Sequence, residues 1–276
     1  MGLAYVNGIN ISYELKGNGF PVIFIHGFGS KKEIWKPQTM TFSKNYKTIT
    51  FDLRGTGKTD RPDFPYTMEM FVYDIKRLMD YLQIQKAHLI GRSFGGMIAQ
   101  HFVIAYPECI DKLILIATNY GKTDTEWVEI IKNNRLKEIK QIETSPEQAF
   151  WNKSKWVFHQ KFRKKLSDNP KKIYYNSFSA ETLIKESVIN PSRPQDIINQ
   201  AEAMKKHYTL EKMEQIKNKT LLIAASHDRL TPKSVMVDIH KKMPNSILKI
   251  IENAGHFMTL SRASEVNNII LDFLES

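Results

Sequence analysis

The 276-residue sequence predicts an α/β protein, with a mostly parallel sheet flanked by helices and interrupted by an all-helical insertion. In the first part of the chain, short apolar runs alternate with amphipathic stretches, which is the pattern of βαβ units. This rhythm stops between Gly121 and Tyr208 and resumes with the run "KTLLIAASHD". The interruption is the observation that predicts an inserted helical segment.

The first two strands are predicted to form an antiparallel hairpin at the sheet edge. The runs "LAYV" and "INISYEL" flank Asn7-Gly8, a dipeptide that accepts the positive φ of a tight turn. The later strands are predicted to be parallel and to lie at residues 21–26, 46–53, 86–91, 111–117, 219–228 and 246–256.

Helices are predicted between these strands from their periodicity and their start signals. Residues 67–84 carry one apolar stripe, formed by Phe71, Ile75, Leu78 and Leu82. In "SPEQ", Ser145 is a predicted N-cap with proline at N1 and a capping-box glutamine. Thr231, before Pro232, is a second predicted cap, and "ASEVNNIILDFLES" predicts a closing amphipathic helix.

The predicted organisation is therefore a core in two parts, residues 1–120 and 209–276, with a helical cap at residues 121–208. The cap segment is rich in aromatic residues, and its candidate pocket residues are Trp127, Trp151 and Trp156. Its aromatic side chains could equally form a structural core of the insertion, and the sequence leaves both interpretations open.

Composition indicates an ordinary globular protein, with 42% hydrophobic and 25% charged residues. No apolar run approaches the roughly 20 residues of a membrane span, and the N-terminus lacks the order of a signal peptide, so we expect a cytoplasmic protein without a membrane partner. The single cysteine, Cys109, cannot form an internal disulfide and is predicted to be a small buried side chain.

The formal net charge of +11 raises the question of nucleic-acid binding. The densest basic cluster, residues 161–166, lies among Phe158, Phe162 and Leu166 at helical spacing, which predicts a solvated helix face instead. No nucleic-acid-binding motif supports the alternative, so no nucleic-acid partner is predicted. Residues 121–208 carry 17 basic and 11 acidic side chains. This surplus could attract an anionic substrate, or simply reflect a lysine-rich chain.

One serine lies in a strand-turn-helix context. In "HLIGRSFGGMIAQHF", Ser93 stands between Gly91 and Gly95, after an apolar strand and before a helix. Such a G-x-S-x-G segment predicts a sharp turn that exposes a nucleophilic hydroxyl at the end of the sheet. A structural glycine-rich turn is the alternative.

A serine nucleophile needs a histidine base and a carboxylate that orients the histidine. Of the eight histidines, His227 and His256 follow the last two strands, and His256 lies in the loop where a base should approach the turn. Asp228 follows the strand "LLIAAS", and no carboxylate directly follows the preceding strand. The order Ser93, Asp228, His256 is the one expected on such a sheet.

The negative charge that develops on a substrate oxygen also needs donors. The turn "HGFGS" follows the strand "PVIFI". The backbone N–H groups of Phe28 and Phe94 are therefore the predicted oxyanion hole, while a tight structural turn is the other interpretation.

With these motifs in order, the chain resembles the α/β-hydrolase fold superfamily, and in particular its capped carboxylesterases and enol-lactonases. The segments "VIFIHGFG", "FDLRGTGKTD", "GRSFGG", "SHDRLTP" and "NAGHF" carry the resemblance. It implies an eight-stranded sheet and hydrolysis of a small-molecule ester or lactone by Ser93, Asp228 and His256, with no metal and no cofactor. It argues against dehalogenases and epoxide hydrolases of the superfamily, which use aspartate at the position of Ser93.

Other uses of the same residues stay open. Carbon–carbon bond hydrolases of the superfamily typically have tryptophan after the histidine, where this chain has Phe257, a further candidate pocket residue. Thioesterase, acyltransferase or perhydrolase chemistry could use the same triad, and a non-catalytic receptor is a weaker alternative. The sequence predicts neither the oligomeric state nor the direction in which Arg92 points.

Overall fold

The computed structural model describes residues 1–121 and 125–276. Within them, eight strands form one sheet in the order β1-β2-β4-β3-β5-β6-β7-β8. Their bounds are Gly2–Val6 (β1), Ile9–Lys16 (β2), Pro21–Ile25 (β3), Lys47–Phe51 (β4), Ala87–Arg92 (β5), Ile110–Ile116 (β6), Lys219–Ala225 (β7) and Ser246–Ile251 (β8). The predicted α/β class and mostly parallel sheet are confirmed.

Strand directions follow the sequence signals. β2 pairs antiparallel with β1 and β4, and every pair from β4 to β8 is parallel. Asn7 and Gly8 form the hairpin turn with φ of 50° and 75°. Because the carboxyl ends of parallel strands share one sheet edge, the loops after β3, β5, β7 and β8 meet there.

Helices cover both faces of the sheet. Those outside the insertion are Lys36–Phe42 (α1), Met68–Tyr81 (α2), Phe94–Ala105 (α3), Lys233–Lys242 (α9), Met258–Ser261 (α10) and Ala263–Glu275 (α11). Successive strand residues face opposite sides, so Ile23 and Ile25 join the core under α2, α3 and α9, and Val22 and Phe24 join the core under α1 and α11. Each fully buried side chain of this size stabilises the fold by about 1.5–3 kcal/mol.

In the described part of the segment between β6 and β7 lie five α-helices: Glu126–Thr144 (α4), Pro146–Val157 (α5), Gln160–Asp168 (α6), Ala180–Ser187 (α7) and Pro194–Lys205 (α8). We call this segment the insertion. An antiparallel bridge joins Gly121 to Tyr208 at its base. Phe158, Phe162 and Phe178 pack together in a small core of its own, while the lysines of residues 161–165 are exposed. The basic cluster is thus a solvated helix face, as predicted.

Two side chains of helix α8 help to tie the insertion to the loops that follow the strands. Gln200 of α8 accepts a hydrogen bond from the Gly29 N–H at 3.1 Å and donates to the Arg54 carbonyl at 2.9 Å. Asp196 of the same helix, itself fully buried, pairs with Arg61 at 3.1 Å. Helix α8 is therefore fixed to the loops that follow β3 and β4.

The capping box predicted at Ser145 does not form. Ser145 precedes Pro146 at the start of α5, but its side chain makes no capping hydrogen bond. Ser145 also ends α4, and its N–H donates to the Gln141 carbonyl at 2.8 Å. The donor that Gln148 would satisfy is therefore already paired, and Gln148 bonds Asn152 instead at 3.2 Å.

The cap predicted at Thr231 is also wrong, for a different reason. Helix α9 begins at Lys233, with Pro232 in the N-cap position. The Thr231 hydroxyl donates to Asp228 Oδ2 at 2.8 Å and its N–H donates to Oδ1 at 2.9 Å. The hydroxyl and the N–H of Thr231 thus bind the Asp228 carboxylate and do not cap α9.

Two further predictions concern the chain as a whole. Cys109 is a free, buried thiol in a short turn before β6, as predicted, and burial raises its pKa. None of the helices in the described ranges is long and apolar enough to cross a membrane.

Candidate active site

Ser93 stands at the turn between β5 and α3 in a strained backbone conformation. Its φ of 55° and ψ of −121° lie in a region that residues other than glycine rarely adopt. Such backbone strain costs about 1–3 kcal/mol of folding free energy. Four hydrogen bonds hold the turn. The Ser93 N–H donates to the Ile116 carbonyl at 2.9 Å, and the Ser93 carbonyl accepts from the Gly96 N–H and the Thr118 hydroxyl at 2.8 Å and from the Met97 N–H at 3.1 Å. This is the geometry of a nucleophile elbow.

The glycines around Ser93 are required by close packing. A Cβ on Gly91 would lie 2.4 Å from the Gly95 carbonyl oxygen, and a Cβ on Gly95 would lie 2.2 Å from that of Ile25. Either side chain would force main chain apart. The turn at Ser93 is therefore packed against the end of β3, where the turn that carries Phe28 begins.

Asp228 and His256 form a buried hydrogen-bonded pair. His256 Nδ1 lies 2.8 Å from Asp228 Oδ2, while Asp228 Oδ1 accepts from the backbone N–H groups of Leu230 and Thr231 at 2.8 and 2.9 Å. Burial acts to raise the pKa of Asp228, but His256 and the Thr231 hydrogen bonds outweigh it and lower that pKa. The carboxylate therefore stays ionised and assigns the proton of His256 to Nδ1, which leaves Nε2 to accept another proton.

Ser93 and His256 line the same cavity, beside Gly27 and Phe28. Among residues 1–121 and 125–276, no hydrogen bond joins the Ser93 hydroxyl to the His256 imidazole. Such bonds are often long without substrate and tighten in the reacting complex.

The N–H groups of Phe28 and Phe94 are free donors within the described residues. Phe94 is the first residue of α3, so its N–H has no partner in the helix. The turn that carries Phe28 lies against the elbow, since a Cβ on Gly27 would be 3.3 Å from the Ser93 Cβ. One of these donors thus belongs to the residue after Ser93, and the other to the turn that lies against Ser93.

His26 positions this turn and cannot act as the base. It is fully buried, and its Nε2 accepts from the Leu53 N–H at 3.1 Å while Nδ1 donates to the Gly27 carbonyl at 2.9 Å. Burial lowers the pKa of His26 to about 4, so the ring is neutral at physiological pH. Both ring nitrogens are committed to the main chain.

The cavity above Ser93 has a volume of about 390 Å³, which suits a small organic ligand. Trp127 and Trp156 of the insertion line it, together with Phe257. Trp151 does not, because it lies on another side of α5 from Trp156, packs beside Phe150 at 5.0 Å and bonds Glu147. The prediction of Trp151 as a pocket residue is wrong for this cavity.

Comparison with known proteins identifies the fold family. A family model described as alpha/beta hydrolase fold matches residues 21–263. The chain belongs to the α/β-hydrolase fold family. This places the strained serine, the Asp–His pair and the unpaired donors on a sheet known to carry such sites.

Three similar proteins illustrate the range of the α/β-hydrolase family. The crystal structure of the enol-lactonase from Burkholderia xenovorans LB400 superposes with a TM-score of 0.83 at 21% identity, covering 100% of both chains. A putative non-heme chloroperoxidase from Synechocystis is 27% identical, covering 97% of this chain and 95% of that protein. Human epoxide hydrolase 4 is 36% identical over 126 residues, which are 44% of this chain and 35% of that protein.

A charged wall of this α/β-hydrolase was not foreseen from its sequence. Arg92, whose direction the sequence left open, turns its guanidinium under Phe257, with Cζ 4.3 Å from the ring centroid. Lys153 of α5 lies over the same ring at 5.6 Å and pairs with Glu138 of α4 at 2.9 Å. Arg135 of α4 also pairs with Glu138. The helical spacing of residues 149, 152, 153 and 156, which all line the cavity, is the one signal that could have indicated Lys153.

The pKa values in this wall follow from burial and charge. Burial lowers the pKa of Arg92 to about 10, so it stays protonated. Burial also lowers the pKa of Lys153 to about 8, against the opposing charge of Glu138. For Glu138, burial acts to raise the pKa, but Arg135 and Lys153 lower it to about 2. At neutral pH the wall is therefore cationic overall.

Proposed function

We propose that this protein is a serine hydrolase that cleaves small carboxylic esters or lactones through an acyl-enzyme on Ser93. One observation carries the proposal: the hydrogen-bonded Asp228–His256 pair opens on the cavity that the strained Ser93 lines. The family match and the fold shared with an enol-lactonase support a hydrolase. The ester or lactone substrate and the roles of the individual residues are proposals.

In the first half-reaction, Ser93 Oγ attacks the substrate carbonyl as His256 Nε2 accepts the hydroxyl proton. Asp228 stabilises the resulting imidazolium and keeps its orientation, because its two oxygens are fixed by four hydrogen bonds. His256 then gives the proton to the departing alkoxide. The alcohol leaves, or in a lactone stays attached, and the acyl group remains on Ser93.

In the second half-reaction, water attacks the acyl-enzyme while His256 again takes a proton. The tetrahedral intermediate collapses, His256 returns the proton to Ser93 Oγ, and the carboxylic acid leaves. In both steps the N–H groups of Phe28 and Phe94 hold the oxyanion. Losing one such donor typically lowers turnover by about a hundredfold to a thousandfold.

Perhydrolysis is a second candidate, favoured by the putative chloroperoxidase that matches along 97% of this chain. Hydrogen peroxide would replace water in attacking the acyl-enzyme, releasing a peroxy acid and free Ser93. Peroxide-dependent bromination of monochlorodimedone in acetate buffer, absent from Ser93→Ala, would favour this candidate.

Carbon–carbon bond hydrolysis, a capping role of the insertion and a cytoplasmic location stay predictions. We do not propose epoxide opening, because serine stands at the elbow.

A fluorophosphonate probe and a chain-length series of 4-nitrophenyl esters test the hydrolase proposal. We expect stoichiometric labelling and ester turnover in the unaltered chain, and loss of both in Ser93→Ala. Ser167→Ala, which removes an exposed serine of α6, is the matched control and should behave as the unaltered chain. Unlabelled Ser93, or unchanged turnover in Ser93→Ala, would refute the proposal.

A further inference from the structure

Among the residues that the structure describes, the wall of the cavity beside Ser93 carries more cationic than acidic side chains. Its cationic side chains are Arg92, Arg135, Lys137 and Lys153, and its single carboxylate within the described residues is Glu138. Glu138 pairs with both Arg135 and Lys153. One carboxylate thus faces two cations, and Arg92 lies outside this network.

Arg92 has no hydrogen-bonded anion among the described residues. The Asp228 carboxylate acts on its charge, but that carboxylate is hydrogen-bonded to His256 and Thr231. The Arg92 side chain is 1% exposed, and its Nε and Nη1 donate to no described residue. The contact with the Phe257 ring supplies no hydrogen-bond acceptor to Nε or Nη1. A buried cation is normally retained beside an anion, because burying it alone is costly. The absent partner is therefore expected to be a bound group.

Lys153 is a cation of this wall that a ligand can touch. Its side chain keeps 31% of its surface accessible, although α4, α5 and Phe257 surround it. Arg92 lies beneath the same ring and adds its charge at short range. An anion seated against Lys153 would therefore feel both charges in an environment that screens them poorly.

The position of these cations limits where the anion lies on the substrate. Arg92 immediately precedes Ser93, and Phe257 immediately follows His256. Because Lys153, Ser93 and His256 line one cavity, we expect an anion bound beside Lys153 to be a few bonds from a carbonyl held at the Ser93 hydroxyl. A compact oxygen anion fits these donors best.

We infer that Lys153 and Arg92 form an anion subsite, and that the substrate is an ester or lactone with a carboxylate a few bonds from the scissile carbonyl. This inference rests on the proposed function and specifies its substrate class. Lys153 is the contact residue, and Arg92 acts from below the ring.

The test compares monomethyl glutarate with methyl pentanoate, which differ by a carboxylate in place of a terminal methyl group, with the released acid followed by titration. We expect kcat/KM to favour monomethyl glutarate by about tenfold or more, the effect of one partly buried charge pair. Lys153→Gln should remove about tenfold of this preference, measured as the ratio of kcat/KM for the two esters. Lys140→Gln, which removes an equal charge from an exposed lysine on α4 that does not line the cavity, should change the preference less than twofold.

A binding measurement separates failure of the subsite from failure of the hydrolase proposal. Glutarate is titrated calorimetrically into Ser93→Ala and into Ser93→Ala/Lys153→Gln. Equal turnover of the two esters, or an equal loss of preference in Lys153→Gln and Lys140→Gln, overturns the subsite while the hydrolase stands. Glutarate binding that requires Lys153, in a protein that hydrolyses neither ester, supports the subsite and refutes the hydrolase.

Discussion

Replacing Asp228 by asparagine should abolish most activity while leaving the fold intact. Asparagine has the shape of aspartate, so the change is one of hydrogen-bonding character. The two backbone N–H groups of Leu230 and Thr231, at 2.8 and 2.9 Å, require an acceptor at the Oδ1 position. The amide oxygen must therefore occupy that position, and the NH₂ group must face His256.

The consequence is a change of tautomer in His256. An NH₂ group at the former Oδ2 position donates to Nδ1, which then carries a lone pair, and the ring proton moves to Nε2. Nε2 is the atom that should accept the proton of Ser93, so the base is blocked. In a serine protease the corresponding change lowers kcat by about ten-thousandfold, equivalent to about 5 kcal/mol in the activation barrier. We expect a loss of similar size here.

The assay is kcat for 4-nitrophenyl acetate at pH 8, with the melting temperature and circular dichroism measured alongside. Asp238→Asn, at a half-exposed position in α9, is the matched control and should retain full activity. A rate for Asp228→Asn within tenfold of the unaltered chain would refute the tautomer argument. A collapse of the melting temperature would show a structural role instead.

Three further predictions concern strain, packing and charge. Ser93→Gly should melt about 2–5 °C above Ser93→Ala in calorimetry, because glycine relieves the positive φ that alanine keeps; equal melting would contradict this strain. Gly95→Ala should lose about 1–3 kcal/mol of unfolding free energy in urea, since its Cβ would lie 2.2 Å from a main-chain oxygen of β3; an unchanged midpoint would contradict this contact. The preference for monomethyl glutarate should fall as pH rises through about 8, because Lys153 then loses its proton. Burial lowers the pKa of Lys153 to about 8; the charges of Arg135 and Arg92 act in the same direction, and the charge of Glu138 opposes them. A preference that stays constant to pH 9.5 would contradict this origin.

The fold was predictable because each of its signals is local. Apolar runs marked the strands, Asn7-Gly8 marked the hairpin, and the interruption of strand rhythm marked the insertion. The positions of Ser93, Asp228 and His256 followed from one geometrical rule, that loops after parallel strands meet at one edge. The distance between Asp228 and His256 shows that these two loops do meet.

The charged wall was not predictable, because its members come from separate elements. Lys153 and Glu138 lie on two helices whose relative rotation no local pattern specifies, and Arg92 comes from β5. The errors at Ser145 and Thr231 have a related cause. Each has the residue types of a helix cap, but another group in the fold had already taken the hydrogen bond that the cap would make.

The two hydrogen bonds of Gln200 bear on how this protein could be re-engineered. One amide joins α8 to Gly29, next to the donor Phe28, and to the loop that carries Arg54. If the insertion were exchanged for that of a relative, the turn that carries Phe28 would lose the Gln200 hydrogen bond, even if every residue of the sheet were kept. The insertion is therefore not a freely transplantable module, and chimeras should carry Gln200 and its two partner loops together as one unit of recombination.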